Sequence, residues 1–195
     1  MRGMNTTPPD SAAVIAAMRH WLEQAVIGLN LCPFAKSVYV AERVRFVVSD
    51  ARHLDAFLEQ LDAELDFLAA ADPAEVDTTL LIHPTLFEDF ETFNEVSGIA
   101  EEAVEEHGLD GVLQIASFHP LFQFADTEAD DISNYTNRAP YPTLHLLREA
   151  SIEQALAHYP HEPDSIFERN IETMEKLGQS GWDALGIGAA APEKP

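Results

Sequence analysis

The apolar positions of the chain follow two different spacings. Short apolar runs rich in β-branched residues predict three buried strands, at residues 44–49, 78–83 and 112–118. Between and around these runs, apolar residues three and four positions apart predict amphipathic helices. These helices are expected at residues 10–30, 50–71, 85–107, 142–158 and 165–178.

The alternation of strands and helices predicts an α/β fold. Strand–helix–strand units form parallel sheets, and strands that are apolar throughout fit a sheet covered on both faces. We therefore expect a small three-stranded parallel sheet covered by helices. A ferredoxin-like α+β arrangement is the alternative, because periodicity does not fix strand direction. Residues 10–180 are expected to form one domain, between a disordered lead at 1–9 and a loose tail at 181–195.

One long polar segment interrupts this pattern. Residues 119–141 follow the third strand and precede the helix expected from Pro142. Loops of this length are uncommon inside a compact domain and are often functional. Two of the strands end in His-Pro, at His83 and His119. In a parallel sheet both histidines would lie at the carboxyl edge, where open α/β sheets bind their ligands. We therefore expect the functional site at this edge.

The charge of the chain narrows the classes of partner. The 195 residues include 11 Lys and Arg against 34 Asp and Glu, which gives a formal net charge of −23. Nucleic acids and anionic membranes bind basic surfaces, so neither is expected as a partner. The sequence has one cysteine, no apolar signal core and no apolar run of membrane-span length, which favours a cytoplasmic protein. No motif indicates a cofactor or an oligomeric state.

Cys32 and His119 are the candidate catalytic residues. If Pro33 begins a short helix, Cys32 caps it, and the helix N-terminus together with Lys36 would favour a nucleophilic thiolate. His119 would serve as general acid and base, oriented by Asp131. The alternatives are an inert, buried cysteine and a histidine bonded to a backbone carbonyl. His83 has the same position as His119 but fewer polar neighbours in the sequence.

Two arginines predict an anion site. Basic residues are scarce, yet Arg138 and Arg148 flank the helix start expected at Pro142, where the helix dipole attracts anions. Two guanidinium groups could hold a carboxylate or a phosphate through paired hydrogen bonds. The alternative is that they pair with the acidic side chains of the loop. The other residues expected to bind the ligand are Lys36, Asn137, Tyr141 and His145.

Two further hypotheses remain open. If the segment after Pro142 is a helix, His145 and Glu149 share a face and could bind a metal together with His119. A salt bridge between Arg148 and Glu149 explains the same spacing without a metal. In the last hypothesis the protein is a non-catalytic binding or scaffold protein, and the long loop is only a braced structure.

Three segments of the chain resemble a known family. They are LNLCPFAK at 29–36, QIASFHP at 114–120 and NRAPYPTLHLLRE at 137–149. They are similar to the bacterial family catalogued as domain of unknown function 1415, and the resemblance extends from the first predicted helix to the penultimate one. It implies stand-alone cytoplasmic proteins and brings no established activity, substrate or cofactor. The leading hypothesis is therefore an enzyme that acts on a small anionic metabolite through a pocket of Cys, His and Arg side chains.

Overall fold

A computed structural model describes residues 9–160 and 165–189. Residues 1–8 of the predicted lead and 190–195 of the predicted tail lie outside this described part. The elements in chain order are α1 (Ser11–Trp21), a π-helical segment (Leu22–Ile27), α2 (Ala35–Val40), β1 (Val44–Val48), α3 (Leu54–Ala70), β2 (Thr78–Ile82), α4 (Phe90–Glu106), β3 (Leu113–Phe118), a 3-10 helix (Ile132–Asn137), β4 (Thr143–Arg148), α5 (Glu149–Ala157) and α6 (Ser165–Ala184). None of these helices is long and apolar enough to cross a membrane.

The described strands form one mixed sheet in the order β1-β2-β4-β3. β1 and β2 pair in parallel, whereas β4 pairs antiparallel with both β2 and β3. The three predicted strands therefore run in the same direction, but β4 separates β2 from β3. This strand order and these directions differ from the ferredoxin-like arrangement. The α/β class is confirmed. The prediction of a three-stranded, all-parallel sheet is corrected to a four-stranded mixed one.

β4 lies where the sequence predicted a helix from Pro142. Its residues alternate between the two faces of the sheet. Leu144 and Leu146 are buried on one face, whereas His145 lies on the other and pairs with Leu80 of β2. Strands on both sides supply hydrogen-bond partners for its backbone. The period of two therefore outweighs the helix propensity of the leucines. Only the segment that follows, Glu149–Ala157, is helical.

Helices cover both faces of the sheet. α3 and α4 pack on one face, where Phe57 and Phe93 are among the largest fully buried side chains. α1, the π-helical segment and α6 pack on the other face, around Trp21 and Met174. β2 is buried along its whole length because it lies between these two apolar clusters. Removal of this apolar surface from water is the main stabilisation of the fold.

The C-terminal segment packs against the core as far as Ile187. α6 extends to Ala184, Trp182 is only 7% exposed, and Leu185 and Ile187 pack against the same core as α1. The Nε2 atom of His20, on α1, hydrogen-bonds to the carbonyl oxygen of Leu185 at 2.9 Å. The domain boundary expected after residue 180 therefore falls inside α6, and the start of the expected loose tail is helical.

Candidate functional site

The carboxyl ends of β1, β2 and β3 lie at one edge of the sheet. β4 starts at the same edge, because Thr143 pairs with Ile82 of β2 and with Phe118 of β3. The long loop, residues 119–142, therefore begins and ends at this edge. The sequence predicted that the two His-Pro segments and the loop would lie together here, and the strand directions place them so.

His83 joins two of the loops at this edge. Its buried ring donates from Nε2 to the carbonyl oxygen of Ala51, 2.9 Å away in the loop after β1. Its Nδ1 accepts the backbone N–H of Leu86 at 2.9 Å, within the turn that His83 itself begins. Only the neutral tautomer with a proton on Nε2 makes both bonds. Burial lowers the pKa of His83, and this keeps the ring neutral.

His119 repeats this arrangement one loop further along the chain. Nε2 donates to the carbonyl oxygen of Phe87 at 2.7 Å, and Nδ1 accepts the N–H of Leu121 at 3.0 Å. His119 is 1% exposed, and its ring stacks on the ring of Phe93 with centroids 5.2 Å apart. Burial lowers the pKa of His119. Both ring nitrogens already form hydrogen bonds with the backbone. The imidazole therefore has no free lone pair with which to act as a general base.

Cys32 is half-buried and packs against the core between α1 and α6. The expected cap is absent, because α2 begins at Ala35 with Phe34 as its N-cap residue. Burial raises the pKa of the thiol, and this effect outweighs the lowering by hydrogen bonds from the N–H groups of Phe34 and Ala35. The thiol is therefore protonated at neutral pH. Lys36 is exposed on the second residue of α2.

The long loop is braced from the inside by Asn134, which is fully buried. Its Oδ1 accepts the backbone N–H of Phe124 and the hydroxyl of Thr127, both at 2.9 Å. Its Nδ2 donates to the carbonyl oxygen of Glu128 at 2.8 Å. These bonds pair polar groups that would otherwise be buried without partners. The loop therefore has a fixed shape, as the scaffold hypothesis also requires.

Asp131 and Asn137 lie at the two ends of the 3-10 helix. The carboxylate of Asp131 accepts the N–H of Ser133 at 2.9 Å, and this bond lowers the pKa of Asp131. Asn137 donates from Nδ2 to the carbonyl oxygen of Ser117 at 3.4 Å, and its own carbonyl accepts the N–H of His119 at 3.2 Å. Asp131 thus caps a helix rather than orienting the imidazole, and Asn137 ties the loop to β3.

Arg138 crosses the loop just after the 3-10 helix. Its Nε donates to the carbonyl oxygen of Phe122 at 3.2 Å, and Nη2 donates to that of Ala129 at 2.7 Å. The guanidinium group lies 4.1 Å from the ring centroid of Tyr135. Within residues 9–160 and 165–189, no carboxylate forms an ion pair with it. Arg138 therefore keeps an unpaired positive charge and N–H groups on the second Nη atom.

A cavity of about 450 Å³ lies beside Arg138. The long loop forms one wall, and α6 with the segment after it forms the other. The walls include Tyr135, Arg138, Pro140, Trp182, Asp183 and Ile187. Cavities of this volume hold metabolite-sized ligands. A second cavity, of about 60 Å³ beside Pro33, has room for water rather than for a metabolite.

Arg148 lies at the opposite edge of the sheet from Arg138. It ends β4, is 8% exposed, and donates from Nη2 to the carbonyl oxygens of Leu68, Ala71 and Val76 at 2.6, 2.8 and 3.1 Å. β4 alone spans about 17 Å between the edge at which the long loop lies and Arg148, at ~3.3 Å per strand residue. The expected anion site, built on both arginines and a helix start, is therefore not formed.

The residues of the metal hypothesis do not meet either. His145 lies inside β4, where its Nε2 donates to the hydroxyl of Thr78 at 2.6 Å and burial lowers its pKa to about 4. Glu149 begins α5 at the far edge of the sheet, whereas His119 lies at the near edge. In the described part of the chain, no three side chains form a group that could hold a metal. Tyr141, expected to bind the ligand, is 5% exposed in the core.

The cavity wall formed by the C-terminal segment was not predicted. It includes Gln179, Trp182 and Asp183, which fall in or next to the expected loose tail. The predicted helix stopped at Gly178, which does have a left-handed φ of 62°, but α6 continues beyond this kink. One signal was present in the sequence: Trp182 is a large apolar side chain in a segment otherwise rich in small residues.

A comparison with known families agrees with the resemblance of the three segments. The family described as a protein of unknown function, DUF1415, matches residues 13–184. This range contains all the strands of the sheet, the long loop and most of the helices. No curated protein and no solved structure matches the chain. On the extent of the family match, the chain belongs to the DUF1415 family.

Proposed function

We propose that the protein binds a small anionic metabolite, a carboxylate or a phosphate, in the cavity beside Arg138. The observation that carries the proposal is the unpaired guanidinium group of Arg138 on the wall of a metabolite-sized cavity. Two backbone carbonyls hold this group in place, so it loses little freedom when an anion binds. A guanidinium also matches the geometry of carboxylate and phosphate oxygens.

The charge of the whole chain makes this local cation important. A net charge of −23 repels anions at long range, so an anionic ligand needs a positive group within contact distance. The cavity supplies that group next to the apolar and aromatic side chains of Tyr135, Pro140 and Trp182. Apolar walls with a few fixed polar groups are the usual composition of small-molecule sites.

This proposal keeps the expected ligand class and changes the set of binding residues. Cys32 and His119 are not among the residues that line the cavity, which include no cysteine or histidine. The proposed function is therefore binding, the part that the enzyme and the binding-protein hypotheses share. A chemical step would need groups other than the expected thiol and imidazole. The cytoplasm remains the proposed compartment, since it fits a single protonated cysteine without a disulfide partner in the chain.

Calorimetric titration with inorganic phosphate, succinate and citrate tests the proposal. We expect at least one probe to bind the wild-type protein, and Arg138→Gln to weaken that binding at least tenfold. Lys36→Gln is the matched control, because it removes one positive charge from an exposed side chain outside the cavity wall. This control should bind as the wild type does.

A second variant keeps the test valid if Arg138→Gln fails to fold. Ala189→Trp places a large side chain in the cavity from an exposed position and leaves Arg138 and its carbonyl partners unchanged. We expect this variant to fold and to lose the same binding. If none of the probes binds the wild type, or if the bound probe is equally tight on Arg138→Gln and Ala189→Trp, the proposal is wrong.

A further inference from the structure

We infer that the ligand of the cavity is a zwitterion, with a cationic amino group in addition to the anionic group that Arg138 binds. This inference rests on the proposed function and names the class of ligand more narrowly. Its basis is Asp183, a carboxylate on the cavity wall formed by α6, whereas Arg138 is on the wall formed by the long loop. The two walls thus present charges of opposite sign to one cavity that is open to solvent, and Asp183 is exposed there.

Each of these charged side chains forms its hydrogen bonds within its own wall. The carbonyl oxygens of Phe122 and Ala129 hold Arg138. The amide Nε2 of Gln179 donates to Oδ1 of Asp183 at 2.7 Å. No ion pair joins Arg138 to Asp183, although both line the same cavity. The opposite charges are therefore separated rather than neutralised, which leaves both able to bind a ligand between them.

The position of Asp183 in α6 adds an independent argument. Asp183 is the last residue but one of the helix, where the carbonyl groups at the helix C-terminus carry partial negative charge. A carboxylate at this end is disfavoured, and a cation beside it is favoured. An ammonium group bound there would be attracted both by the carboxylate and by the helix terminus. A purely anionic ligand would lack both attractions, so it should bind at Arg138 more weakly than a zwitterion does.

The surface around the two charges suits the body of such a ligand. Trp182 and Ile187 are apolar and lie on the same wall as Asp183, and Pro140 lies on the wall of Arg138. Apolar contact with the ligand's carbon atoms would add binding energy in proportion to the area buried. The class that fits is a small molecule with an ammonium group, a short carbon chain and a carboxylate or phosphate, such as an amino acid or a phosphorylated amino alcohol.

Two matched pairs of compounds test this inference by calorimetric titration. Glutarate is L-glutamate without its amino group, and ethyl phosphate is phosphoethanolamine without its amino group. We expect the amino compound of at least one pair to bind the wild-type protein at least tenfold more tightly than its partner. In Asp183→Asn the difference within that pair should disappear. Glu175→Gln is the control, because it removes a negative charge from an exposed residue of α6 outside the cavity.

The outcomes separate this inference from the proposed function. If both members of each pair bind equally, and Arg138→Gln weakens both while Asp183→Asn weakens neither, the inference is wrong and anion binding stands. If no member of either pair binds, and phosphate, succinate and citrate do not bind either, both are wrong. A wild-type preference for the amino compound that survives in Asp183→Asn would also contradict the inference, because the amino group would then be bound elsewhere.

Discussion

At the scale of the residue, the side chains that looked most reactive are those most fully used by the fold. Arg148 shows this clearly, because two of its three carbonyl partners, Leu68 and Ala71, belong to the last turn and the C-cap of α3. The last carbonyls of a helix have no partner inside the helix. The guanidinium group satisfies them and places a positive charge at the negative end of the helix dipole. A buried arginine of this kind is a structural cap.

The two buried histidines, His83 and His119, also pair backbone groups of the fold, as Arg148 does. His119→Phe keeps an aromatic ring against Phe93 but leaves the carbonyl of Phe87 and the N–H of Leu121 unpaired. We expect a loss of about 1–3 kcal/mol in the free energy of unfolding, the cost of one buried carbonyl group left unpaired, because Leu121 is itself exposed. Urea denaturation at pH 7.5 measures this loss. His83→Phe should lose a similar amount.

The pH dependence of this loss provides a check. The pKa of His119 in the folded protein is lowered by burial, whereas the unfolded value is about 6.5. The stabilisation by the neutral ring is therefore complete above about pH 6.5 and decreases as the pH falls through the folded value. The difference between wild type and His119→Phe should shrink in the same direction. His158→Phe, at an exposed position, is the control. If His119→Phe were as stable as the wild type, the two backbone hydrogen bonds of His119 would not stabilise the fold.

Cys32 gives a second prediction at this scale. Because burial raises the pKa of the thiol, iodoacetamide should modify the folded protein at pH 7.5 at least tenfold more slowly than the urea-unfolded protein. The chain has one cysteine, so intact mass measures the modification of this residue directly. A folded protein that reacts as fast as the unfolded one would instead support the activated thiolate that the sequence suggested.

At the scale of the element, hydrophobic periodicity located most of the structure. The predicted strands at 44–49, 78–83 and 112–118 agree with Val44–Val48, Thr78–Ile82 and Leu113–Phe118 to within one residue at each end. β4 was missed because its leucines satisfy a helical as well as a strand pattern, and only the neighbouring strands decide between them. The shared strand direction was enough to predict the edge at which the loop lies.

The roles of the site residues could not be predicted in the same way, because their partners are distant in the sequence. His83 binds a carbonyl 32 residues away, and Arg148 binds one 80 residues away. Local spacing contains no information on such contacts. The sequence predicted the anion site at the start of a helix flanked by Arg138 and Arg148. Residues 143–148 form β4 instead, so these two arginines do not lie beside one helix start. The cavity wall that contains Asp183 was missed because α6 continues past the kink at Gly178, where the sequence predicted that the helix ends.

A contact between α3 and α4 gives a prediction at the scale of elements. His107 follows α4 and bonds through its two ring nitrogens to Asp66 and Asp62 of α3, at 2.9 and 3.1 Å. These bonds, chiefly the one to Asp66, raise the pKa of His107. The stabilisation is therefore complete below the unfolded value of about 6.5 and is lost as the pH rises through the higher folded value.

His107→Gln should accordingly destabilise the protein at pH 5.5 and have little effect at pH 9. We expect the free energy of unfolding at pH 5.5 to fall by about 0.2–1 kcal/mol. The effect is small because both carboxylates are exposed, and the solvent screens their attraction to the imidazolium. Urea denaturation at both pH values measures the effect, and 1 M salt should reduce it. His158→Gln is the control for an exposed histidine. A larger effect at pH 9 than at pH 5.5 would reverse the sign and contradict the argument.

At the scale of the whole molecule, the C-terminal segment links the core to the cavity. Leu185 and Ile187 pack against the apolar cluster shared by α1 and α6, and His20 holds the carbonyl oxygen of Leu185. Ile187 also lines the cavity beside Arg138, together with the two residues that follow it. The same few residues therefore cover apolar core and close one side of the proposed ligand site. Stability and ligand binding should consequently change together when this segment is altered.

Truncation of the chain tests this connection. Removal of residues 185–195 exposes apolar core and opens the cavity, so we expect the free energy of unfolding to fall by about 1–3 kcal/mol, on the scale of one or two partly buried apolar side chains. The fluorescence of Trp182, which is buried against Tyr135 with ring centroids 5.1 Å apart, should shift to longer wavelength. Binding of whichever probe the wild type takes should weaken at least tenfold. Removal of residues 190–195 alone is the matched control, since it retains Leu185 and Ile187. If the longer truncation keeps full stability and full probe affinity, the segment neither completes the core nor closes the cavity, and the site would have to be sought on the loop alone.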